Sequence, residues 1–291
     1  MHNHKGQMRA GIVVLFAICQ GCFTTPTTAV GNAATGCPAD MAYVPAGSFS
    51  MGTSDDAFAP DEKPAHRVTL SAYCVDRTEV TVKAFAECVR AGKCPAPGEP
   101  SNASVWDAGC NGSRADRQEH PVNCVDWEQS ATYCSWMNKR LPTEAEWERA
   151  ARGDDGRMYP WGNQMPTARH LNACGQECKQ QEFGTVYTES DRWAATAPVA
   201  SYPDGKSPYG ADDMAGNVWE WTSDWFGSYS PQDSVTPNGP VTGNVKVYRG
   251  GGWNAGSSFL VRTVARIKIK PEYRSPFLGF RCGRSLNAPT R

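Results

Sequence analysis

The sequence predicts an α+β fold with low regular secondary structure, made of short strands and about three helices. The 291 residues include 28 Gly, 21 Pro and 10 Trp, a composition that suits loops held by aromatic packing. Long helical periodicities are few, and helix-start signals occur in only three places. Twelve cysteines, most of them beyond the N-terminal region, offer covalent crosslinks to such a loop-rich chain.

Length and charge limit the functional classes. A chain of 291 residues can bury a substantial core in one large domain or two small ones. Its formal net charge is −1, from 29 basic and 30 acidic residues that are interspersed along the chain. Because there is no basic stripe, nucleic acid is not an expected partner.

The N-terminal residues 1–22 have the character of a leader. Two basic residues precede an apolar run over 10–18, which is too short to span a bilayer. Gly21-Cys22 resembles the end of a bacterial lipoprotein cleavage box, although a cysteine stands where leucine is usual. We therefore expect export, either with a lipid on Cys22 that anchors the protein to a membrane or by simple cleavage. Residues 23–36 are expected to form a flexible tether before a single domain over 37–291.

The even number of cysteines after Cys22 is most simply a disulfide framework in an exported chain. Cys174–Cys178 is a reasonable local bridge, and Cys37–Cys74 a reasonable long one. Zinc binding is the alternative for a pair such as Cys174 and Cys178. No second Cys pair or His stands at a convincing ligand spacing, which disfavours it.

The N-terminal half carries the clearest strand signals. Residues 42–52 alternate as a β-hairpin, and residues 67–75 form another alternating, β-rich segment. Thr81 is a suitable N-cap for a helix that ends at Gly92.

Two more helices are expected after a loop. Residues 93–118 are polar and rich in Gly and Pro, which predicts a surface loop. Asp126 opens a second helix, and Thr143 begins a capping box and a third helix that reaches about Arg152. From there to residue 284 the sequence predicts only short strands and long loops.

A tryptophan-rich stretch contains the most informative acidic residue. Read as a strand, it places Trp219 and Trp221 on one face and Glu220 on the other. A carboxylate in such surroundings is costly to bury unless a positive group holds it. Asp213 lies seven residues upstream, with Gly216 between them to allow a sharp turn. The two carboxylates and nearby carbonyls suit a calcium ion, and an arginine partner for Glu220 is the alternative.

Short motifs follow one another between residues 38 and 284. They include Met-Ala-Tyr-Val-Pro-Ala-Gly at 41–47, Gly-Asn-Val-Trp-Glu-Trp at 216–221, Arg-Gly-Gly-Gly-Trp at 249–253 and Leu-Gly-Phe-Arg-Cys at 278–282. In this order they resemble the sulfatase-modifying factor family, whose founding activity is that of the formylglycine-generating enzyme. The resemblance implies that family's fold, which is similar to a C-type lectin. It also implies a disulfide between Cys134 and Cys282.

The resemblance further implies two structural calcium sites built from oxygen donors. One takes the side chains of Asp213 and Glu220 and the carbonyls of Gly216 and Val218. The other takes the side chains of Asn172 and Asp191 and the carbonyls of Ala173 and Trp193. The alternative for Asn172 and Asp191 is that they only cap turns.

The family's oxidative chemistry requires residues that this sequence lacks. Formylglycine generation in the family is a copper-dependent oxidation by O2 that uses two cysteine thiolates, because soft sulfur ligands select Cu(I). Aligned on the turn at 249–253, the two positions are Ala255 and Leu260. Neither side chain can ligate copper, so copper is not expected and no catalytic residue is assigned.

These observations favour an exported, calcium-stabilised binding or accessory module that does not generate formylglycine. Its ligand groove is expected to be lined by Trp219, Trp253, Asn254 and Arg262. Aromatic walls with one cation suit an unknown peptide, protein or glycan ligand. The alternative is a formylglycine-generating oxidase or another oxidative maturation enzyme of the same family. A third hypothesis is that the protein is an accessory part of a cell-surface assembly and binds no small ligand.

Overall fold

The structure is a computed structural model that describes residues 1–2, 36–101, 109–178 and 184–286. Most of the predicted leader over 1–22, its lipidation site Cys22 and all but the last residue of the tether over 23–36 lie outside the described residues. The described residues from Gly36 onward belong to one compact unit. Among all described residues, no helix is long and apolar enough to cross a membrane.

Three helices and ten short strands occur in the described ranges. The helices are α1 (Val82–Arg90), α2 (Trp127–Trp136) and α3 (Glu144–Arg152). The strands are β1 (Met41–Val44), β2 (Gly47–Met51), β3 (His66–Leu70), β4 (Tyr73–Asp76), β5 (Trp219–Trp225), β6 (Ser234–Val235), β7 (Lys246–Arg249), β8 (Arg266–Ile269), β9 (Leu278–Gly279) and β10 (Gly283–Ser285).

The first four strands form one long antiparallel ribbon that continues from one sheet into another. β1 pairs with β4 and β2 pairs with β3, and a single register runs through both pairs. The hairpin predicted within 42–52 is therefore wrong, because its two arms lie in different sheets. Gly47 does not adopt the positive φ that a tight hairpin turn needs, so the chain stays extended there.

The remaining strands complete three small sheets in the described part of the chain. β10 extends the β1–β4 pair, and β6 runs parallel to β3. The third sheet has the order β8-β7-β5-β9, in which β5 pairs antiparallel with β7 and parallel with β9. This arrangement places the C-terminal segment beside the tryptophan-rich strand β5.

All three predicted helix starts are confirmed by their caps. The Thr81 hydroxyl accepts a hydrogen bond from the Ala84 amide at 3.1 Å. Asp126 and Thr143 each open a complete capping box, at the starts of α2 and α3 respectively. These caps satisfy amides that would otherwise have no partner in the first turn of each helix.

α3 is buried along its whole length despite its five charged residues. Glu144 accepts hydrogen bonds from Arg249 and Arg266, and Glu148 pairs with Arg249 as well. Buried charges are tolerated only when they are paired and hydrogen-bonded in this way. The arginines lie on β7 and β8, so the network joins α3 to the third sheet.

Five disulfides pair all ten cysteines from Cys37 onward. They are Cys37–Cys74, Cys88–Cys94, Cys110–Cys124, Cys134–Cys282 and Cys174–Cys178. The Cys134–Cys282 bridge is the one implied by the family resemblance, and it ties α2 to the segment before β10. The local and long bridges expected from the sequence, Cys174–Cys178 and Cys37–Cys74, are both present.

Loop length predicts how much two of these bridges stabilise the fold. Cys134 and Cys282 are 148 residues apart, whereas Cys88 and Cys94 are 6 apart. From loop-closure entropy we expect a Cys134→Ala/Cys282→Ala variant to lose about 5 kcal/mol of unfolding free energy, against about 2 kcal/mol for Cys88→Ala/Cys94→Ala. Urea unfolding of the two variants measures the difference, and equal losses would contradict this account.

Candidate functional site

Glu220 is a fully buried carboxylate on β5. Arg281 donates to it twice, from Nε to Oε2 and from Nη2 to Oε1, with both distances 2.7 Å. The indole of Trp147 on α3 donates a third hydrogen bond, from Nε1 to Oε2 at 2.8 Å. Charge-assisted, bidentate bonds of this kind offset the cost of taking both charges out of water.

The partner of Glu220 is therefore an arginine, which is one of the two alternatives that the sequence left open. Arg281 also donates to the backbone carbonyls of Asp76, Arg77 and Asp212, at 3.0, 3.1 and 2.9 Å. Arg281 neutralises the charge of Glu220 among the described residues, and the assignment of Glu220 as a calcium ligand stays a prediction. Glu220 holds the fold together at this point.

Glu79 and Asp213 form a second buried acidic group beside this ion pair. Glu79 is 1% exposed, and neither of its carboxylate oxygens has a hydrogen-bond partner in the described part of the chain. The Oδ2 of Asp213 accepts a hydrogen bond from the Ala200 amide at 2.6 Å. Burial is the main cause that raises the pKa of both carboxyls, and the pKa of Asp213 rises to about 6. The charge of Asp213 raises the pKa of Glu79 further.

Two facing carboxylates in a buried place need either a shared proton or a cation between them. Gly216 and Val218, whose carbonyls were assigned to the same calcium site as Asp213, lie in the turn that leads into β5. Carboxylate and carbonyl oxygens are the donors that calcium prefers. The carboxylates of Glu79 and Asp213 are donors of this type, and the calcium site itself stays a prediction.

The four residues of the other predicted calcium site also come together. The Trp193 amide donates to Oδ1 of Asp191 at 2.9 Å, and the Ala173 amide lies 3.3 Å from Oδ2 of Asp191. The Oδ1 of Asn172 is buried without a hydrogen-bond partner among the described residues. The hydroxyl of Tyr187 lies among these groups, 2.6 Å from Oδ2 of Asp191 and 2.8 Å from the Ala173 nitrogen.

Tyr187 changes what this second set can bind. Its hydroxyl also lies 2.9 Å from the carbonyl oxygen of Leu171 and 3.3 Å from that of Ala173. A neutral hydroxyl thus sits at the point where the oxygens converge, and the Ala173 N–H points at the same place. The assignment of calcium to Asn172, Ala173, Asp191 and Trp193 stays a prediction. Among the described residues, Tyr187 is a hydrogen-bond partner of Ala173 and Asp191.

The two positions that carry the family's copper ligands lie in apolar packing. Ala255 is 1% exposed and belongs to a cluster with Leu171, Tyr187 and Val261, and Leu260 packs against that cluster. The methyl group of Ala255 and the isobutyl group of Leu260 offer no electron pair to a metal.

No other thiol of the described residues can replace the missing pair. Every cysteine from Cys37 onward is in a disulfide, and Cys19 and Cys22 lie outside the described ranges. The loop closed by Cys174–Cys178 packs directly on the altered turn, where the Cys174 amide donates to the Ala255 carbonyl at 3.1 Å.

The residues predicted to line a ligand groove present little open surface in the described part of the chain. The residues assigned to it were Trp219, Trp253, Asn254 and Arg262. Both tryptophans are 5% exposed, and Oδ1 of Asn254 is buried. Arg262 forms a buried ion pair with Glu62 at 3.0 Å, and its guanidinium lies 3.9 Å from the centre of the Phe58 ring. No pattern in the sequence indicated that Glu62 would neutralise Arg262.

Comparison with known proteins identifies the family. A model described as "Sulfatase-modifying factor enzyme 1-like domain" matches residues 26–286. The chain belongs to the sulfatase-modifying factor family. This confirms the membership that the motifs indicated.

The relatives of this chain include proteins named as active enzymes and proteins named as inactive. The formylglycine-generating enzyme of Streptomyces coelicolor is 37% identical over 82% of this chain and 87% of its own length. The mouse protein named inactive C-alpha-formylglycine-generating enzyme 2 is 30% identical over 86% of this chain and 87% of its own length. Membership alone therefore does not decide whether a chain is catalytic.

The sulfatase-modifying factor fold is also found among solved structures. PvdO from Pseudomonas aeruginosa matches with a TM-score of 0.68 at 29% identity, over 84% of this chain and 94% of PvdO. The α+β fold with three helices and short strands is thereby confirmed.

Three residues that matter at these sites were missed by sequence reasoning. Arg281 appeared only within the motif at 278–282, and neither Glu79 nor Tyr187 was singled out. A detectable signal existed for Arg281, since a buried Glu220 among tryptophans required a cation somewhere in the chain.

The Tyr187 hydroxyl is expected to stabilise the fold measurably. Tyr187→Phe leaves the Ala173 amide and the Asp191 carboxylate without their shared partner, which should cost about 1–3 kcal/mol of unfolding free energy. Tyr209→Phe is the control, because the bond that its hydroxyl donates to Asp154 is exposed to solvent, and it should change stability by less than about 0.5 kcal/mol. Thermal unfolding compares the two variants, and equal melting temperatures would overturn the assignment.

Proposed function

We propose that this chain is an exported, non-catalytic member of the sulfatase-modifying factor family that acts as a calcium-stabilised binding or accessory module. The supporting observation is the packing of Ala255 and Leu260 against an apolar cluster where the copper thiolates would lie. Without two thiolates, the scaffold has no ligand set that selects Cu(I) and hence no means of activating O2 in the family's manner.

The disulfide framework supports export. Five disulfides in one domain are typical of proteins that fold in an oxidising compartment. A lipid on Cys22 would anchor the module to a membrane surface, and cleavage elsewhere would release it to the periplasm or the exterior. The expected partner is an unknown peptide, protein or glycan, with no nucleic acid and no membrane contact beyond such an anchor.

The 37% identity to a named formylglycine-generating enzyme favours a second candidate, an oxidase of the same family. For this chain that function would require a copper site other than the one at Ala255 and Leu260.

Restoring the two thiols distinguishes these functions. The wild-type protein is expected to show no tight Cu(I) binding and no O2 consumption with a cysteine-containing peptide. Ala255→Cys/Leu260→Cys should gain Cu(I) binding, because two thiolates five residues apart are then available. Ala255→Ser/Leu260→Ser, which has similar size but no sulfur, is the matched control. A competitive Cu(I) chelator titration measures affinity, and tight binding by the wild type would refute the non-catalytic function.

We also propose that calcium bridges Glu79 and Asp213, with the carbonyls of Gly216 and Val218 as further donors. Two buried carboxylates with no cationic partner in hydrogen-bonding contact support this proposal. The ion would be structural, because it would tie the start of α1 to the turn before β5. It would also remove the repulsion that otherwise raises the pKa of Glu79.

The calcium bridge predicts a specific response to one substitution. Calcium at about a hundred times its dissociation constant should raise the unfolding free energy of the wild type by about 2.7 kcal/mol, and EDTA should reverse this. Glu79→Gln should abolish the response, since one of the two bridging charges is gone. Glu119→Gln, at an exposed carboxylate, should respond like the wild type. A wild type that ignores both calcium and EDTA would remove the calcium proposal.

The pH dependence of the calcium-free protein follows from Asp213. Its pKa rises from 3.8 to about 6 in the folded state, so folding favours the protonated carboxyl. The stability that this proton supplies is complete below pH 4 and is lost as the pH rises through 6. In EDTA we therefore expect the melting temperature to fall between pH 4 and pH 7, and calcium should diminish the fall. The same decline with and without calcium would contradict a bridging ion.

A further inference from the structure

A cavity of about 340 Å³ lies between the N-terminus of α3, the end of β5 and the loop over 227–240. Its volume falls near the lower end of the range for small-molecule sites, roughly 300–1,000 Å³. Much of its wall is apolar and is formed by Met51, Ala145, Trp225, Pro237 and Pro240. None of these residues belongs to the calcium or copper sets.

Asp224 is the one carboxylate of this wall that forms no ion pair with a described residue, although the charge of Lys246 acts on it from a longer distance. It is 4% exposed. Its Oδ2 accepts hydrogen bonds from the Glu144 amide and the Ser223 hydroxyl, both at 2.9 Å. Its Oδ1 accepts no hydrogen bond from the described chain and lies beside Gly239 in the loop that covers the cavity. One oxygen of a buried carboxylate is therefore left for a ligand.

The other charged groups of the wall already neutralise one another. Glu144 accepts hydrogen bonds from Arg249 and Arg266. The Nη1 of Arg266 donates to the carbonyls of Asp61 and Gly227. Burial, followed by the nearby charge of Glu144, raises the pKa of Asp224 to about 7. A positive ligand group would relieve both effects.

We propose that this cavity binds the ammonium group of an aliphatic primary amine, such as a lysine side chain, with the ammonium on Asp224. The alkyl chain then lies along Met51, Pro237 and Pro240. This inference deepens the binding function proposed above by giving the module a ligand chemistry and a location. It does not depend on whether the protein binds copper near Ala255 and Leu260.

The surroundings of the cavity disfavour other ligand classes. An anion would meet the carboxylates of Asp224 and Glu144. A sugar would need an open aromatic face, but Arg266 lies 4.0 Å from the centre of the Tyr229 ring, and Lys246 lies 3.9 Å from that of Trp225. An amine uses both features that remain open, the free carboxylate oxygen and the apolar wall.

The test compares a probe whose side chain ends in an ammonium group with one whose side chain is one heavy atom shorter and ends in a methyl group. Nα-acetyl-lysine amide and Nα-acetyl-norleucine amide are titrated into the full protein while the indole signals of the tryptophans are followed by NMR. The lysine probe should bind roughly tenfold or more tightly than the norleucine probe, because only it makes a charge-assisted bond. The Trp225 indole signal is expected to shift.

Variants then locate the site. Asp224→Asn should weaken the lysine probe roughly tenfold, and its amide oxygen can still accept the two hydrogen bonds that hold α3. Asp204→Asn, at an exposed carboxylate paired with Arg169, should bind like the wild type. Equal binding of the two probes to the wild type, or of the lysine probe to wild type and Asp224→Asn, would overturn the proposal. No binding of either probe would do so too. Each failure would leave the Cu(I) titration unchanged.

Discussion

The buried pair of Glu220 and Arg281 is the constraint on which the rest of the structure depends. Both side chains are fully buried, and each charge is tolerated there only because the other neutralises it. Through side-chain and carbonyl bonds the pair joins β5 to α3, to the end of β4, to the turn near Asp212 and to the segment before β10. A chain with three small sheets needs such a junction, because no single sheet supplies a continuous core.

A scaffold fixed by buried charges and disulfides can change its chemistry without losing its shape. The third sheet and α3 are held by arginine–glutamate contacts that do not involve Ala255 or Leu260. Alanine and leucine at 255 and 260 could therefore replace metal ligands and join an apolar cluster while the surrounding backbone kept its family geometry. Tyr187 supports the same part of the fold, because its hydroxyl bonds to oxygens of Leu171, Ala173 and Asp191.

Local signals in the sequence predicted local structure well. Three helix starts, the α+β class and the motif order followed from caps, composition and short patterns. Strand pairing did not, because alternation at 42–52 reveals which residues are extended but not which strand lies beside them. The side-chain partners at the sites could not be predicted for a similar reason. Arg281 and Glu62 contact Glu220 and Arg262, which lie far from them in the sequence. Spacing could show that Glu220 needed a cation, yet could not choose between a metal and an arginine.

The metal content of the protein tests the central claim most directly. Full-length protein is exposed to calcium and to Cu(I) under reducing conditions, passed through a desalting column and analysed by inductively coupled plasma mass spectrometry. We expect stoichiometric calcium and only traces of copper, since carboxylates are buried at Glu79 and Asp213 and no thiol pair lies near Ala255. Stoichiometric copper that survives desalting would contradict the claim that this scaffold has given up its oxidative site.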